Sequence, residues 1–157
     1  MDLLVKLYEL PDVAGDQVKG VTIRRAFAAE KHFVLEFVEK NFIRAWASEC
    51  EVSFARLPAA CFVASSGGEI CGFACYDASA RGFFGPIGVA ENGRGHGIGT
   101  HLLIRTLQDM RARGYAYAIV GDVSDTRFYR QVNPIEIGES SPGFYRGMLK
   151  ESERQRA

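Results

Sequence analysis

A short segment between residues 94 and 99 places an arginine and three glycines together, in the order Arg94-Gly95-His96-Gly97-Ile98-Gly99. An amphipathic helical pattern follows it, with an apolar face made of Leu102, Leu103, Leu107 and Met110. The first turn of a helix offers free N–H groups and a positive dipole end, and glycines let the backbone approach an anion. Arg94 adds a fixed positive charge. These features predict a loop that binds a phosphate-bearing ligand. The alternative is a tight turn that binds no ligand. In that case no binding contact would offset the conformational entropy that three glycines lose when they become ordered.

Two common phosphate-binding motifs do not fit this segment. A P-loop needs a Gly-Lys-Ser/Thr sequence, which the chain lacks. A dinucleotide fingerprint needs a glycine three residues after its second glycine. Ile98 stands there in one frame and Thr100 in the other, so both frames fail.

The remaining spacing is R-x-x-G-x-G, carried by Arg94, Gly97 and Gly99, and it resembles the acetyl-CoA loop of the GNAT superfamily of N-acetyltransferases. The similarity covers about residues 83–132. Its first part resembles the family's fourth strand running into the phosphate loop. Its last part, Phe128-Tyr129-Arg130, resembles the family's helix with a tyrosine after the fifth strand. On this resemblance the chain is identified as a member of the superfamily.

The resemblance implies a fold and a reaction. The expected fold is α+β (mixed α/β), with a central mixed, mostly antiparallel twisted sheet of six to seven strands flanked by about four helices. The expected enzyme is an N-acyltransferase that moves an acetyl group from acetyl-CoA directly to a primary amine of a small molecule or a peptide. The alternative is a non-catalytic acyl-CoA-binding regulatory module, because a fold alone does not fix an activity.

The resemblance also assigns the residues that contact acetyl-CoA. The pantetheine arm is expected between the fourth and fifth strands, paired with the backbone of Ile87, Gly88 and Val89. Pro86 removes a backbone donor and Gly88 weakens the strand while clearing space, which fits a bulged strand beside a ligand; an ordinary strand start is the alternative for Pro86. The phosphates are expected at the loop and the start of the next helix, on Arg94, Gly95, His96, Gly97, Ile98, Gly99 and Thr100.

Three residues are candidates for proton transfer. Tyr129 matches the tyrosine that protonates the departing thiolate in many family members; packing against the cofactor is its alternative role. The base that deprotonates the amine stays open between Asp122, after the predicted strand 115–120, and Asp77, after the predicted strand 69–76. Many family members have an asparagine at the position of Asp122, so this carboxylate could face the amine instead of the pantetheine arm.

The acceptor amine is expected to bind near residues 36–46 and 138–143, which vary within the family. Trp46, Phe42 and Tyr145 could line an apolar pocket there or belong to the core. The sequence does not show whether the acceptor is an amino sugar, a polyamine, an amino acid, an antibiotic or a protein N-terminus. A weak similarity of residues 115–145 to GNAT modules associated with sugar-cleaving enzymes makes an amino sugar worth testing.

Composition limits the other functions. The 157 residues suffice for one domain, and lysine plus arginine equal aspartate plus glutamate at 19 each. A formal net charge of zero argues against nucleic-acid binding, which draws on excess positive charge. No apolar run reaches the ~20 residues that cross a bilayer, and the N-terminus lacks a signal-peptide pattern. We therefore expect a cytoplasmic protein without membrane contact.

The cysteines and histidines show no metal-binding spacing, because no CxxC pair or zinc pattern occurs. We expect no metal and buried, reduced thiols at Cys50, Cys61, Cys71 and Cys75. Homodimers are common in the family, but no sequence feature decides the oligomeric state.

The element pattern predicts one N-acetyltransferase domain, residues 1–150, and a charged tail, residues 151–157. Helices are predicted from about residue 30, continuing or restarting near residue 42, then before Gly114, and at residues 125–131. Turn signals at residues 65–68 and 77–82 favour antiparallel hairpins. Strands are predicted at residues 3–10, 21–25, 60–64, 69–76, 83–89, 115–120, 135–137 and 145–149.

Overall fold

The computed structural model describes residues 1–13 and 15–150, so the tail predicted at residues 151–157 lies outside it. The helices are α1 (Lys31–Asn41), α2 (Arg44–Ser53) and α3 (Ile98–Ala112). A seven-residue 3₁₀ segment, Thr126–Val132, takes the place of the fourth predicted helix. The strands are β1 (Leu3–Lys6), β2 (Gln17–Val18), β3 (Val21–Arg25), β4 (Cys61–Ser66), β5 (Glu69–Tyr76), β6 (Phe83–Val89), β7 (Tyr117–Val120) and β8 (Ile135–Glu136).

The strands form a single sheet in the order β2-β3-β4-β5-β6-β7-β1-β8. Every neighbouring pair is antiparallel except β6 and β7, which are parallel. The mixed, mostly antiparallel sheet confirms the predicted fold class. Eight strands occur in the described residues because two-residue strands, β2 and β8, add to the edges.

Helices cover both faces of the sheet. Successive side chains of a strand point to opposite sides, so one strand can pack against helices on both faces. In β4, Cys61 and Val63 pack with the α1 and α2 residues, whereas Phe62 and Ala64 pack with those of α3. The hydrophobic face predicted for the third helix is confirmed, because Leu102, Leu103, Leu107 and Met110 are all fully buried. The sheet is therefore fixed from both sides.

The N-terminal strand lies inside the sheet rather than at its edge. β1 pairs with β7 through Leu3 and Val120 and with β8 through Leu3 and Glu136. The predicted strand 3–10 stops at Lys6, and a 3₁₀ turn, Leu7–Glu9, follows. β1 therefore lies between β7 and β8 in the sheet.

The prediction of a strand at residues 145–149 is wrong. Gly143 and Gly147 have φ angles of +84° and +81°, which interrupt an extended chain. The described backbone bonds of this stretch are local turns, from Arg146 N to Gly143 O and from Met148 N to Tyr145 O. The C-terminal segment therefore crosses the end of the sheet as turns.

Candidate functional site

The sheet opens between β6 and β7. The two strands pair only at Phe83 with Ile119 and at Phe84 with Val120. β6 also carries a bulge, because Tyr76 pairs with Phe84 whereas Ala74 pairs with Ile87. Residues 85 and 86 thus stand against one residue of β5. The bulge was predicted from proline and glycine, and it turns the second half of β6 away from β7.

The loop after β6 exposes a row of backbone donors. Gly95 and Gly97 both have φ angles of +81°, a conformation that favours glycine, and Gly97 caps α3. The first backbone bond of α3 runs from His101 N to Gly97 O. In the described part of the chain, the N–H groups of residues 95–100 have no acceptor. Six consecutive free donors at a helix N-terminus suit an anionic ligand.

Arg94 and His96 differ in their position at the loop. Arg94 lines the cavity between β6 and β7, and its Nε donates to Val89 O at 3.0 Å, which ties the loop to β6. The exposed His96 does not line the cavity, and its Nδ1 lies 3.3 Å from Gly93 O. His96 would therefore contact a phosphate through its backbone N–H rather than through its side chain.

Gly88 has a packing role that the sequence did not reveal. A Cβ atom built on Gly88 would lie 2.4 Å from Cζ of Phe42, so only glycine fits under this ring. The missing side chain clears space, as expected, but an aromatic ring from the α1–α2 junction fills part of it. Gly88 therefore seats Phe42 at the wall of the cavity.

A cavity of about 710 Å³ runs through the gap. One end reaches Arg94 and Gly95–Thr100 apart from His96, and the middle is lined by residues 85–89 and by Tyr129. Tyr129 is only 8% exposed and packs edge-on against Phe84, with ring centroids 6.5 Å apart. The other end is lined by residues of α2, the β5–β6 turn and the C-terminal segment.

The family model described as the acetyltransferase (GNAT) family matches residues 24–132, which is more than half of the chain. The chain belongs to the GNAT family. The match begins within β3, so β1 and β2 lie outside it. A search of curated proteins gives no match.

Solved structures share the GNAT fold at low sequence identity. A GCN5-related N-acetyltransferase from Sphaerobacter thermophilus is 21% identical, with a TM-score of 0.62 over 85% of this chain and 47% of its own. The glucosamine N-acetyltransferase region of a fungal multi-domain β-N-acetylglucosaminidase is 17% identical, with a TM-score of 0.67 over 85% and 19%. A Brucella melitensis GNAT acetyltransferase in complex with acetyl-CoA is 20% identical, with a TM-score of 0.55 over 69% and 80%. The chain thus spans about half the length of the first of these proteins.

The two carboxylates predicted as bases of this GNAT domain lie in different surroundings. Asp122 lines the cavity, is exposed, and has a φ angle of +54° directly after β7. Asp77 does not line the cavity and its side chain is 1% exposed. Its Oδ1 accepts from Gly82 N at 2.7 Å, and its Oδ2 accepts from Tyr115 and lies 2.7 Å from Nη1 of Arg56. We name Asp77, Arg56 and Tyr115 the Asp77 cluster. Its position gives Asp77 a structural role, contrary to the prediction.

A second carboxylate group at the cavity was not predicted as catalytic. Glu49 of α2, Ser79 of the β5–β6 turn and Tyr145 of the C-terminal segment meet at the end opposite the loop, and we name them the Glu49 cluster. Tyr145 Oη donates to Glu49 Oε2 at 2.6 Å, and Ser79 Oγ donates to the same oxygen. Burial and then the bond to Glu49 raise the pKa of Tyr145 to about 12, so the phenol stays protonated at neutral pH. Of these three residues, the sequence predicts only Tyr145 as a possible pocket residue.

Three thiols form a further group outside the cavity. The Sγ atoms of Cys50, Cys61 and Cys75 lie within 4.8 Å of one another, and the described residues add no histidine or carboxylate to them. All three side chains are fully buried among apolar residues of the α1–α2 face. Burial raises the pKa of the Cys75 thiol well above its ordinary value. The cluster has the donor atoms for a thiophilic metal ion, which the sequence spacing did not suggest.

No helix in the described ranges 1–13 and 15–150 is both long and apolar enough to cross a membrane.

Proposed function

We propose that this GNAT domain is an acetyl-CoA-dependent N-acetyltransferase that moves an acetyl group directly to a primary amine of a small molecule or a peptide. The observation that carries the proposal is that one continuous cavity runs through the β6–β7 gap. It joins the free N–H groups of the loop, the Tyr129 side chain and an acidic end.

The residues of the gap suit acetyl-CoA, which supplies the acetyl group as a thioester. The N–H groups of residues 95–100 and the Arg94 guanidinium suit its phosphates. Beyond Phe84, β6 has no partner in β7, so the backbone of Ile87–Val89 can bind the pantetheine arm. β6 is seven residues long, so the strand itself spans roughly 20 Å at about 3.3 Å per residue.

Tyr129 is the proposed general acid. Burial raises the pKa of Tyr129 well above its ordinary value of 10.0, so the hydroxyl carries its proton at neutral pH. A protonated phenol at the middle of the cavity can give this proton to the departing sulfur. Phe84 and Phe128 contact the ring edge-on and hold it in place.

The attacking amine must be neutral, so a carboxylate must take a proton from the ammonium form directly or through water. Asp122 and Glu49 both line the cavity, whereas Asp77 is closed off by its own cluster. The amine therefore enters from the end of the cavity that carries Asp122 and Glu49.

All four cysteines are free thiols, which supports the expectation of a reducing compartment such as the cytoplasm. A homodimer stays a prediction from the family.

The test is the release of free thiol from acetyl-CoA in the presence of primary amines, with Tyr129→Phe beside the wild type. We expect turnover with at least one amine and a kcat that is about 100-fold lower in Tyr129→Phe, because a general acid contributes about 10²–10⁴. Acetyl-CoA affinity should stay within twofold, and Tyr117→Phe, an exposed tyrosine of β7, should leave kcat unchanged. Acetyl-CoA binding without turnover for any amine would instead support the non-catalytic acyl-CoA-binding module.

A further inference from the structure

The two ends of the cavity have opposite charge. The loop end carries Arg94, free N–H groups and the positive end of the α3 dipole. The other end carries the carboxylates of Glu49 and Asp122. Within residues 1–13 and 15–150, no lysine, arginine or histidine nitrogen lies within 4.0 Å of Glu49 or Asp122. The acidic end therefore attracts a cation rather than a second anion.

Glu49 is held in place with one oxygen left for a ligand. Tyr145 and Ser79 both donate to Oε2, and Oε1 has no donor in the part of the chain that the structure describes. The Tyr145 oxygen also lies 2.8 Å from Ser79 Oγ, so the three side chains restrain one another. A fixed carboxylate with a free oxygen and no cation beside it suits the ammonium group of an acceptor.

The rest of this end is apolar. Phe42 and Trp46 lie against each other with ring centroids 5.2 Å apart, and both line the cavity. Ile43 and Met148 also line it and are 60% and 54% exposed, so their apolar surface faces the opening. Exposed apolar side chains around a carboxylate suit a ligand with an apolar body and a charged end.

We propose that the acceptor is a monoamine with an aromatic or extended apolar body, and that Glu49 binds its ammonium group and takes its proton. This inference rests on the proposed N-acetyltransferase function and specifies the acceptor site. The ammonium group loses one proton to Glu49 Oε1, and the neutral nitrogen attacks the acetyl carbonyl carbon. The bond from that carbon to sulfur breaks, and the sulfur takes a proton from Tyr129. The nitrogen loses its second proton to water as the amide forms, and water returns a proton to Tyr129.

Two other acceptor classes fit this end less well. An amino sugar carries several hydroxyl groups that need partners when they leave water. The hydroxyls of Ser79 and Tyr145 are not free to donate to them, because both already donate to Glu49. A diamine that binds Glu49 and extends toward the opening would place its second charge against Phe42, Trp46 and Ile43, where the structure provides an apolar surface.

The first test compares tryptamine, 2-phenylethylamine, glucosamine and 1,4-diaminobutane by thiol release at saturating acetyl-CoA. We expect kcat/KM for the two aromatic amines to exceed that for glucosamine and for the diamine at least about 10-fold, the usual range for an apolar pocket. A higher kcat/KM for glucosamine or the diamine, or no turnover of either aromatic amine, would overturn the inference. The proposed function would survive the first result, and it would fail separately if acetyl-CoA did not bind.

The second test assigns the base. Glu49→Gln should lower kcat about 100-fold for tryptamine while leaving acetyl-CoA affinity and the melting temperature unchanged. Glu51→Gln, two residues further along α2 and paired with Lys31, is the matched control and should keep wild-type kcat. If Asp122→Asn lost kcat and Glu49→Gln kept it, the base would be Asp122 and the assignment of Glu49 would be wrong.

The third test concerns the apolar body. Ile43→Ser should raise the KM for 2-phenylethylamine about 5-fold with little change in kcat. Leu57→Ser replaces a side chain that is 88% exposed outside the cavity and should change neither constant. An unchanged KM in Ile43→Ser would place the acceptor body elsewhere.

Discussion

The β5–β6 turn contributes to two clusters that each contain a carboxylate and a tyrosine but differ in whether an arginine neutralises the carboxylate. Asp77 begins the turn and binds Arg56 and Tyr115, whereas Ser79, two residues later, binds Glu49 and Tyr145. Both clusters pair a carboxylate with a tyrosine. The Asp77 cluster includes an arginine and is closed off from the cavity, while the Glu49 cluster has no cation and faces it.

A third group agrees with this distinction. Asp109 of α3 accepts two hydrogen bonds from Arg25 and one from Tyr76, and it lies outside the cavity. We name these residues the Asp109 cluster. In these three clusters, the carboxylates neutralised by arginine hold elements together, and Glu49, which has no arginine partner, is available to a cationic ligand. Substitutions in the three clusters test this difference through their effects on the free energy of unfolding.

The largest loss of stability is expected for Asp77→Asn. This change removes the charge that Arg56 pairs with and weakens the bond from Tyr115, inside a site where the carboxylate is 1% exposed. We expect the free energy of unfolding to fall by about 2–3 kcal/mol, less than for a wholly buried pair because Arg56 is half-exposed. Urea denaturation measures it, and kcat of the folded protein should stay at the wild-type value. A large fall in kcat at unchanged stability would return Asp77 to the catalytic site.

A loss of about 2 kcal/mol is expected for Asp109→Asn, together with a change in pH dependence. Burial by itself raises the pKa of Asp109, but the bonds from Arg25 and Tyr76 outweigh burial and hold the pKa below its ordinary 3.8. A carboxylate with a lowered folded-state pKa stabilises the protein above the unfolded pKa, and this contribution is lost as pH falls through the folded pKa. Urea midpoints between about pH 5 and pH 2 should therefore fall more steeply for the wild type than for Asp109→Asn. Equal slopes would show that Asp109 is not stabilised by its partners.

The smallest effects are expected for the tyrosines. Tyr115→Phe removes a bond to a carboxylate that keeps its arginine, and it should lower the free energy of unfolding by about 1 kcal/mol. Tyr145→Phe leaves Glu49 with Ser79 and with the solvent of the cavity, so its loss should stay under about 0.5 kcal/mol. Thermal unfolding of both variants measures the difference, and a larger loss in Tyr145→Phe would give the Glu49 cluster a structural role.

Local sequence signals predicted much of the fold. The strands at residues 69–76 and 83–89 have the predicted bounds because glycine-rich turns delimit them on both sides. The bulge at residues 85 and 86 follows from the restrictions on proline and glycine. The predicted strand 145–149 failed because Gly143 and Gly147 adopt positive φ angles and the backbone bonds there close local turns, which the apolar pattern did not reveal.

The Glu49 cluster was beyond local reasoning. Glu49 lies 96 residues from Tyr145 and 30 from Ser79, and no motif connects them. The same applies to Gly88, whose close neighbour Phe42 comes from another element. The loop could be found from the sequence because all its donors are consecutive residues. The identity of the carboxylate at the other end depends on long-range packing, so the sequence favoured Asp77 and Asp122.

A calorimetric titration of the folded protein with acetyl-CoA, for the wild type, Gly97→Asp and Gly97→Asn, tests the loop as the phosphate site. We predict saturable binding by the wild type and at least about 100-fold weaker binding by Gly97→Asp, because the added carboxylate would stand among the N–H donors proposed to bind phosphate. Gly97→Asn imposes the same left-handed backbone at a φ of +81° without the charge, so it should lose much less affinity. No binding by the folded wild type at millimolar acetyl-CoA, or equal affinity of the wild type and Gly97→Asp, would contradict the assignment of the loop and the proposed function.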